Sequence, residues 1–352
     1  AEMTFLESLA EKIRNDRPVP WYLDALLRAG TPLYRIGMIA RGMRRPVKVD
    51  ARVVSFGNLT SGGTGKTPAV IERAETELAV GNRVAVLTRG YGATQRLNEV
   101  VCVKGADAAG MADTIGDEPA LIAQRVPGVV IARSANRVAA ARRAISEHEC
   151  NVLILDDGFQ YLRLARDENV LVVDASNPFG NGRLLPRGTL REPIGSARRA
   201  TQIVLTHCDR AGPEKLRDLK GFLDTLCPGI SIRMTRHAPY SLSSLESGEQ
   251  CPLETLRGTR VVAACAIARP ESFVAILESL GAEVTERRAF ADHTPIPPMA
   301  LEAADWVVVT EKDAARMKHA PRNVYTLAVR LEDYPSAQPL TRGRHAFGVT
   351  LL

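Results

Sequence analysis

Residues 60–67 read Thr-Ser-Gly-Gly-Thr-Gly-Lys-Thr, a spacing typical of loops that bind nucleotide phosphates. Glycines let the backbone curl so that N–H groups point at phosphate oxygens, and the positive end of a following helix favours the same anion. In such a loop Lys66 reaches the β- and γ-phosphates, and the Thr67 hydroxyl ligates Mg²⁺. The pattern predicts phosphate binding at Thr60, Gly62, Gly63, Thr64, Gly65, Lys66 and Thr67.

The loop departs from the usual G-x-x-x-x-G-K-[ST] pattern at one position, because Thr60 stands where the first glycine is expected. An apolar strand at residues 53–56 precedes the loop, and a helical pattern follows it. A glycine-rich turn that happens to precede Lys-Thr is the alternative. The order of strand, loop and helix favours the nucleotide site.

A second string, Asn-Val-Leu-Ile-Leu-Asp-Asp-Gly-Phe-Gln, occupies residues 151–160. Its four apolar residues indicate a buried strand that carries Asp156 and Asp157 to its carboxyl end, where Mg²⁺ on a nucleotide needs carboxylates. Many buried strands end in Asp at a turn, so the string alone is weak. Following the loop in the same α/β pattern, it supports a metal site. Either aspartate can hold the metal, and the sequence leaves open which one does.

From residue 51 apolar strands alternate with helical stretches. This alternation predicts an α/β fold with a mainly parallel, P-loop NTPase-like sheet covered by helices on both faces. Ligands of such sheets bind at the carboxyl ends of the strands, where the phosphate loop lies. A break in the pattern near residues 209–214 predicts three regions. These are an N-terminal helical segment at 1–50, a kinase core at 51–210, and a smaller α/β domain at 211–352.

Composition limits the class of protein. The chain has 352 residues, 45% of them hydrophobic, which is enough for a large core and two α/β domains. Six cysteines occur without a Cys-x-x-Cys pair, so we expect reduced thiols in a cytosolic protein and no zinc site. No apolar run long enough to span a membrane and no secretory signal is found. The formal charge of +6 weakly favours anionic partners.

The N-terminal segment interleaves apolar and aromatic residues with arginines between residues 21 and 45. Such a segment suits a helix pair in the membrane interface, with guanidinium groups that reach lipid phosphates. The alternative is a helical hairpin that caps the kinase core and is interrupted at residues 30–32. Both can be true if each face of the segment does one job.

Three further strings lie at predicted strand ends, at residues 88–92, 116–119 and 184–192. Taken singly, each has a structural explanation, namely a turn, a helix start with favourable acidic residues, and an exposed loop. Together with the phosphate loop they match one family.

The chain resembles the tetraacyldisaccharide 4′-kinases, bacterial enzymes that phosphorylate the lipid A disaccharide precursor. The resemblance is carried, in chain order, by residues 57–60, 62–68, 89–92, 116–119, 156–160, 190–193, 290–293 and 310–313. Thr60 also fits this family's form of the loop. Two positions depart from it: Tyr161 replaces a usual His after Gln160, and Thr294 replaces a His that often follows His293.

The resemblance implies ATP and Mg²⁺ as cofactors and the 4′-hydroxyl of an acylated disaccharide 1-phosphate as acceptor. It also implies a cytoplasmic protein that is peripherally associated with the bacterial inner membrane. Asp117 is the expected base for the acceptor hydroxyl, with His293 orienting it and Lys66 as a third catalytic residue. Substrate contacts are expected from Arg89, Tyr91, Glu118, Gln160, Arg191 and Glu192.

Structural alternatives stand beside these roles. Asp117 could be a helix N-cap, Glu118 a first-turn acid, and Arg191 a structural hydrogen-bond donor. For the whole protein, a P-loop ATPase or GTPase switch with a protein or membrane partner is the second hypothesis. No Asn-Lys-x-Asp string specific for GTP is present. A nucleic-acid-stimulated NTPase is a weaker third, because the basic excess is small and no aromatic-basic platform is visible. No nucleic acid partner is therefore expected.

Overall fold

The structure is a computed structural model that describes residues 9, 12–13, 17–43, 45–90, 99–108, 111–267, 269–292, 294–302, 304–317 and 321–335. Two of the expected site residues, Tyr91 and His293, lie outside these ranges. The chain folds into two compact units, each built from separate segments. The first unit comprises residues 1–66, 155–236 and 333–352, and the second comprises 67–154 and 237–332. The boundaries expected at residues 50 and 210 come from the sequence pattern, whereas the two units are defined by contacts between residues. These boundaries stay a prediction.

Helix α1 in the first unit runs without a break from Trp21 to Gly42. The expected interruption at residues 30–32 is therefore wrong, and so is the helix pair. Pro32 removes one backbone donor, a loss that a helix of 22 residues can absorb, and the Thr31 hydroxyl donates to the carbonyl of Leu27 at 3.3 Å. None of the described helices is long and apolar enough to cross a membrane.

The first unit contains parallel strands in the order β1, β6, β7 and β8. Their bounds are Arg52–Gly57, Glu168–Asp174, Gln202–Thr206 and Ser231–Ser244, and the last strand continues into the second unit. The strands are mostly buried because they carry runs of Val, Leu and Ile. Helix α6 (Pro213–Leu226) buries Leu216, Leu219 and Leu223, a spacing that places them on one face toward the core.

The second unit has two groups of strands. In one, β2 (Val84–Thr88) pairs in parallel with β4 (Val130–Arg133), β3 (Val101–Lys104) is antiparallel to β4, and β5 (Val152–Leu155) lies beside β2. The helices that accompany this group are α2 (Lys66–Ala79), α3 (Ala112–Ile115), α4 (Asp117–Arg125) and α5 (Arg137–His148).

In the other group the order is β11, β10, β12, β13 and the end of β8, with β9 antiparallel to β8. The elements are β9 (Gln250–Cys251), β10 (Arg260–Cys265), α7 (Pro270–Ser279), β11 (Glu283–Ala289), β12 (Val307–Thr310), α8 (Glu311–Ala314) and β13 (Val324–Asp333). Strands β10, β11, β12 and β13 are parallel neighbours. The predicted α/β class with a mainly parallel sheet is confirmed.

Candidate active site

The phosphate loop joins β1 to α2, and Asn58 at its start is completely buried. The Asn58 amide nitrogen donates to the carbonyl of Thr60 at 2.7 Å and to that of Gly62 at 3.4 Å. Its amide oxygen accepts from Lys66 Nζ at 3.0 Å. One side chain therefore holds both ends of the loop. Sequence reasoning gave Asn58 no role, although it lies inside a string that carries the family resemblance.

The glycines of the loop are needed for its backbone shape. Gly62 and Gly65 have φ angles of 131° and 74°, which side chains rarely adopt. A further contact comes from Thr206, at the end of β7, whose hydroxyl donates to the carbonyl of Thr64 at 2.8 Å. The loop is fixed in place by β7, because Thr206 is completely buried.

Lys66 and the second aspartate of the acidic pair lie together in the first unit. Lys66 Nζ is 3.4 Å from Asp157 Oδ1, and the Lys66 side chain is 12% exposed. Arg191 Nη1 also contacts this carboxylate, at 2.9 and 2.7 Å from its two oxygens. Burial raises the pKa of Asp157, but Lys66 and Arg191 lower it by more, to about 2. Asp157 is therefore ionised at neutral pH and lies between two cations.

Gln160 contacts the start of the phosphate loop. Its amide nitrogen donates to the carbonyl of Asn58 at 2.9 Å, so the structure gives Gln160 a bracing contact to the phosphate loop. The neighbouring Phe159 is completely buried, and Gly57 approaches it so closely that an added Cβ would lie 2.6 Å from the Phe159 nitrogen. This approach fixes the turn that carries the acidic pair.

The loop at residues 184–192 packs against both the phosphate loop and α1. Two backbone hydrogen bonds join it to the phosphate loop. The N–H of Ser61 donates to the carbonyl of Thr189, and the N–H of Arg191 donates to the carbonyl of Leu59. From α1, the Tyr34 hydroxyl donates to the carbonyl of Arg191 at 2.8 Å. Arg191 is thus held next to Asp157 by contacts along its own backbone.

Two more residues of the first unit show structural partners. Glu192 is 4% exposed and forms an ion pair with Arg199. Arg187 and Asp24 of α1 also form an ion pair. Arg199 lies over the ring of Phe159, 4.8 Å from its centroid. Glu192 therefore supports the turn around Phe159, and a direct contact with substrate stays a prediction.

In the second unit, Gly116 precedes α4 with a φ of 98°, and Asp117 is the first residue of that helix. The N-cap position belongs to Gly116, so the N-cap alternative for Asp117 is wrong. Asp117 Oδ2 lies 2.8 Å from Arg316 Nε, and the two side chains are 15% and 8% exposed. Asp117 is thus a mostly buried carboxylate beside a mostly buried cation.

Glu118, next on α4, lies beside a different cation. Lys312 Nζ is 3.4 Å from Glu118 Oε1 and 3.5 Å from Asp292 Oδ1. Asp292 directly precedes His293, which lies outside the described residues. The fold therefore brings residues 116–119, 290–292 and 310–313 together, although they are far apart in sequence. Arg89 is exposed immediately after β2.

The profile of the family described as tetraacyldisaccharide-1-P 4′-kinase matches residues 20–341 of the chain. The chain belongs to this family. The tetraacyldisaccharide 4′-kinase of Anaeromyxobacter sp. (strain K) is 47% identical over 306 residues, covering 84% of this chain and 80% of that protein. The enzyme of the same name from Halothermothrix orenii is 37% identical over 334 residues, covering 89% and 82%.

A crystal structure of LpxK from Aquifex aeolicus in complex with ATP is also similar. It has a TM-score of 0.69 and 28% sequence identity, and the alignment covers 88% of this chain and 95% of that one. The predictions of the 4′-kinase family, of a phosphotransferase and of lipid A biosynthesis are confirmed. The kinase function replaces the switch hypothesis.

Proposed function

We propose that this 4′-kinase uses ATP and Mg²⁺, with the phosphate loop binding ATP and Asp117 accepting the proton of the 4′-hydroxyl. The observation that carries the proposal is the position of Lys66, which the buried Asn58 holds at the start of α2 beside Asp157. The product is the 1,4′-bisphosphorylated lipid.

Binding of ATP rests on the charges and backbone of the loop. Phosphoryl transfer has a loose transition state, so positioning and charge stabilisation supply most of the acceleration. Lys66 and Arg191 place two cations at the end of the loop, where negative charge on transferring oxygens needs neutralising. The glycines leave space for close approach, because a Cβ added at Gly62 or Gly63 meets nothing within 4 Å.

Mg²⁺ would be held by Thr67, Asp156 and Asp157, whose hydroxyl and carboxylate oxygens are the ligands it prefers. No group of three or more candidate metal-binding side chains is found in the described part of the chain. A magnesium ion usually keeps several waters and takes one or two carboxylates. When bound, the ion polarises phosphoryl oxygens and neutralises charge. Asp157 suits the role of a metal ligand because its carboxylate is ionised at neutral pH.

Asp117 is the proposed base. A sugar hydroxyl at its ordinary pKa is a poor nucleophile, and a carboxylate within hydrogen-bond reach removes its proton during transfer. Arg316 Nε lies 2.8 Å from the Asp117 carboxylate and places a positive charge beside it. His293 is proposed to orient this carboxylate. Contacts with the acceptor or nucleotide are proposed for Arg89, Tyr91, Glu118, Gln160, Arg191 and Glu192.

The protein is proposed to bind peripherally to the cytoplasmic face of the inner membrane. Helix α1 exposes a set of large apolar side chains, each more than half accessible: Trp21, Tyr22, Leu26, Leu33, Ile36 and Ile39. Arg28 and Arg35 lie in the same helix and carry charges that anionic lipid attracts. The opposite side of α1 contacts residues 186–191, near the phosphate loop. A lipid acceptor in the membrane surface would therefore lie near the helix that approaches the site.

The test is transfer of the ATP γ-phosphate to detergent-dispersed disaccharide 1-phosphate lipid. Lys66→Ala and Asp117→Asn are compared with Lys220→Ala, which removes a partly exposed lysine paired with Asp224. The proposal expects bisphosphorylated lipid from the intact chain and from Lys220→Ala, and severe loss in the other two variants. Hydrolysis of ATP without transfer would refute the acceptor, and full activity of Asp117→Asn would refute the base.

A further inference from the structure

The segment at residues 310–316, which begins at the last residue of β12, forms ion pairs with α4 at three points. Arg316 Nε lies 2.8 Å from Asp117 Oδ2. Lys312 Nζ lies 3.4 Å from Glu118 Oε1. At the far end of the helix, Arg125 Nη1 lies 2.6 Å from a carboxylate oxygen of Glu311. This segment, which we name the anchor segment, thus contacts both acidic residues of the first turn of α4.

The anchor segment is itself held firmly by a buried carboxylate. Asp313 is 1% exposed and accepts hydrogen bonds from the Thr310 hydroxyl at 2.6 Å and from the backbone of Ala266 at 3.2 Å. Burial raises the pKa of Asp313, and its hydrogen-bond donors and neighbouring cations oppose that rise. The segment is therefore fixed to the end of β10, and α8 begins at a set position.

Arg316 makes several contacts with its surroundings. Besides Asp117, its guanidinium contacts Asp313 Oδ1 at 3.3 Å and the carbonyl of Ala266 at 3.5 Å, and 8% of the side chain is exposed. An arginine fixed by several acceptors loses most of its rotamer freedom, so it can define the position of a partner. The partner here is the carboxylate with the proposed chemical role.

We propose that Arg316 and Lys312 are positioning residues for the first turn of α4. Arg316 sets the orientation of the Asp117 carboxylate, and Lys312 offsets the negative charge that Glu118 adds beside it. Lys312 also reaches Asp292, and it thereby connects α4 to the residue that precedes His293. This inference rests on the proposed role of Asp117 as the base.

The charges suit such a role. Two adjacent carboxylates at the start of a helix repel each other, and each of them lies beside a cation that attracts it. Pairs that are mostly shielded from water are screened less than surface pairs. Arg316 and Asp117 are shielded in this way, whereas Glu118 is 36% exposed. Arg316 should therefore have the larger effect, and Lys312 the smaller one.

The experiment compares Arg316→Met and Arg316→Lys with a matched control, Arg125→Met. Arg125 also pairs with the anchor segment, but it lies eight residues along α4, about 12 Å from Asp117 along the helix axis. The kcat and both KM values are measured with ATP and the disaccharide 1-phosphate lipid, below the melting temperature of every variant. Activities are divided by the folded fraction, so that a loss of folded protein is not counted.

We expect Arg316→Met to lower kcat by about 10- to 100-fold, as a small displacement of a catalytic group does. The KM for ATP should stay nearly constant, because the interaction lost acts in the transition state. Arg316→Lys should recover part of the activity, since it restores the charge but not the several guanidinium contacts. Arg125→Met should retain the kcat of the folded protein.

An unchanged kcat in Arg316→Met would overturn the positioning role, and so would an equal loss in Arg125→Met. Asp117→Asn separates this inference from the function on which it rests. If Asp117→Asn is inactive while Arg316→Met is fully active, only the positioning role fails. If Asp117→Asn is fully active, the assignment of the base fails and the positioning role fails with it.

Discussion

A single nitrogen of Arg191, Nη1, donates to both carboxylate oxygens of Asp157, at 2.9 and 2.7 Å. Lys66 approaches the same carboxylate, so two cations share one negative charge. Arg191 therefore takes part of the attraction that would otherwise draw Lys66 toward Asp157. This sharing leaves Lys66 available for phosphate oxygens.

Arg191→Met tests this relationship. Without the guanidinium we expect kcat to fall by about 10²-fold, because a stabilising charge is lost and Lys66 is left as the partner of Asp157. The pKa of Asp157 should rise from about 2, since one of the two cations that lower it is gone. Titration of ¹³C-labelled aspartate carboxyls measures this shift. An exposed neighbour, Arg198→Met, is the control, and an unmoved Asp157 titration would contradict the prediction.

The phosphate loop and the acidic strand could be predicted because their chemistry is local. Gly62 and Gly65 adopt backbone angles that glycine tolerates, and Asp157 follows a short apolar strand, so composition and order were sufficient. The contact of Arg316 with Asp117 could not be predicted, because it joins residues 199 positions apart. Such a pair is set by the packing of α4 and α8. The helix break expected at Pro32 was wrong, because the helix-breaking preference of this one residue is outweighed by the helical residues around it.

Arg125→Met should show a destabilisation that depends on pH. Burial raises the pKa of Glu311, and Arg125 opposes that rise. Removing Arg125 leaves a mostly buried carboxylate without this partner, at a cost of about 3 kcal/mol in the free energy of unfolding. A raised folded pKa means that the folded protein binds the proton more tightly than the unfolded chain does. The deficit should therefore be largest at neutral pH and shrink as the pH falls through the folded pKa.

Urea unfolding of Arg125→Met and of the unchanged protein, at about pH 7.5 and about pH 5, measures this deficit. Arg83→Met, whose pair with Glu149 is exposed, provides the control and should show little change at either pH. A deficit in Arg125→Met that is equal at both pH values would argue against a buried Glu311 charge.

Replacing Leu26 and Leu33 of α1 with serine should weaken binding to vesicles that contain anionic lipid. These side chains are 68% and 73% exposed, and each can bury its surface in the interface for about 2 kcal/mol. We expect the vesicle affinity to fall at least about tenfold. The melting temperature should be preserved, because neither side chain is packed in the core. Sedimentation with vesicles measures the affinity.

Val80→Ser serves as the control for this experiment, since Val80 is an apolar residue that is 71% exposed outside α1. It should leave vesicle binding unchanged. Equal binding by the double serine variant and the unchanged protein would rule out α1 as the membrane contact.

Gly57→Ala should destabilise the first unit by about 2 kcal/mol, as overpacking of a dense core does. The added Cβ would lie 2.6 Å from both the nitrogen and the Cβ of Phe159, which is completely buried. Gly63→Ala is the matched control, because a Cβ there meets nothing within 4 Å. Melting curves compare the two. If both variants melt at the same temperature, the close approach of Gly57 to Phe159 is not a packing constraint.

The pairing of β1 with β6 sets a delay during synthesis of the chain. Val54 pairs with Glu168, 114 residues later, so the strand before the phosphate loop leaves the ribosome long before its partner exists. At ordinary elongation rates this interval is on the order of 10 s. During that time an apolar strand edge is open to incorrect pairing, so correct folding of the nascent chain requires that this edge stay unpaired until β6 has been made.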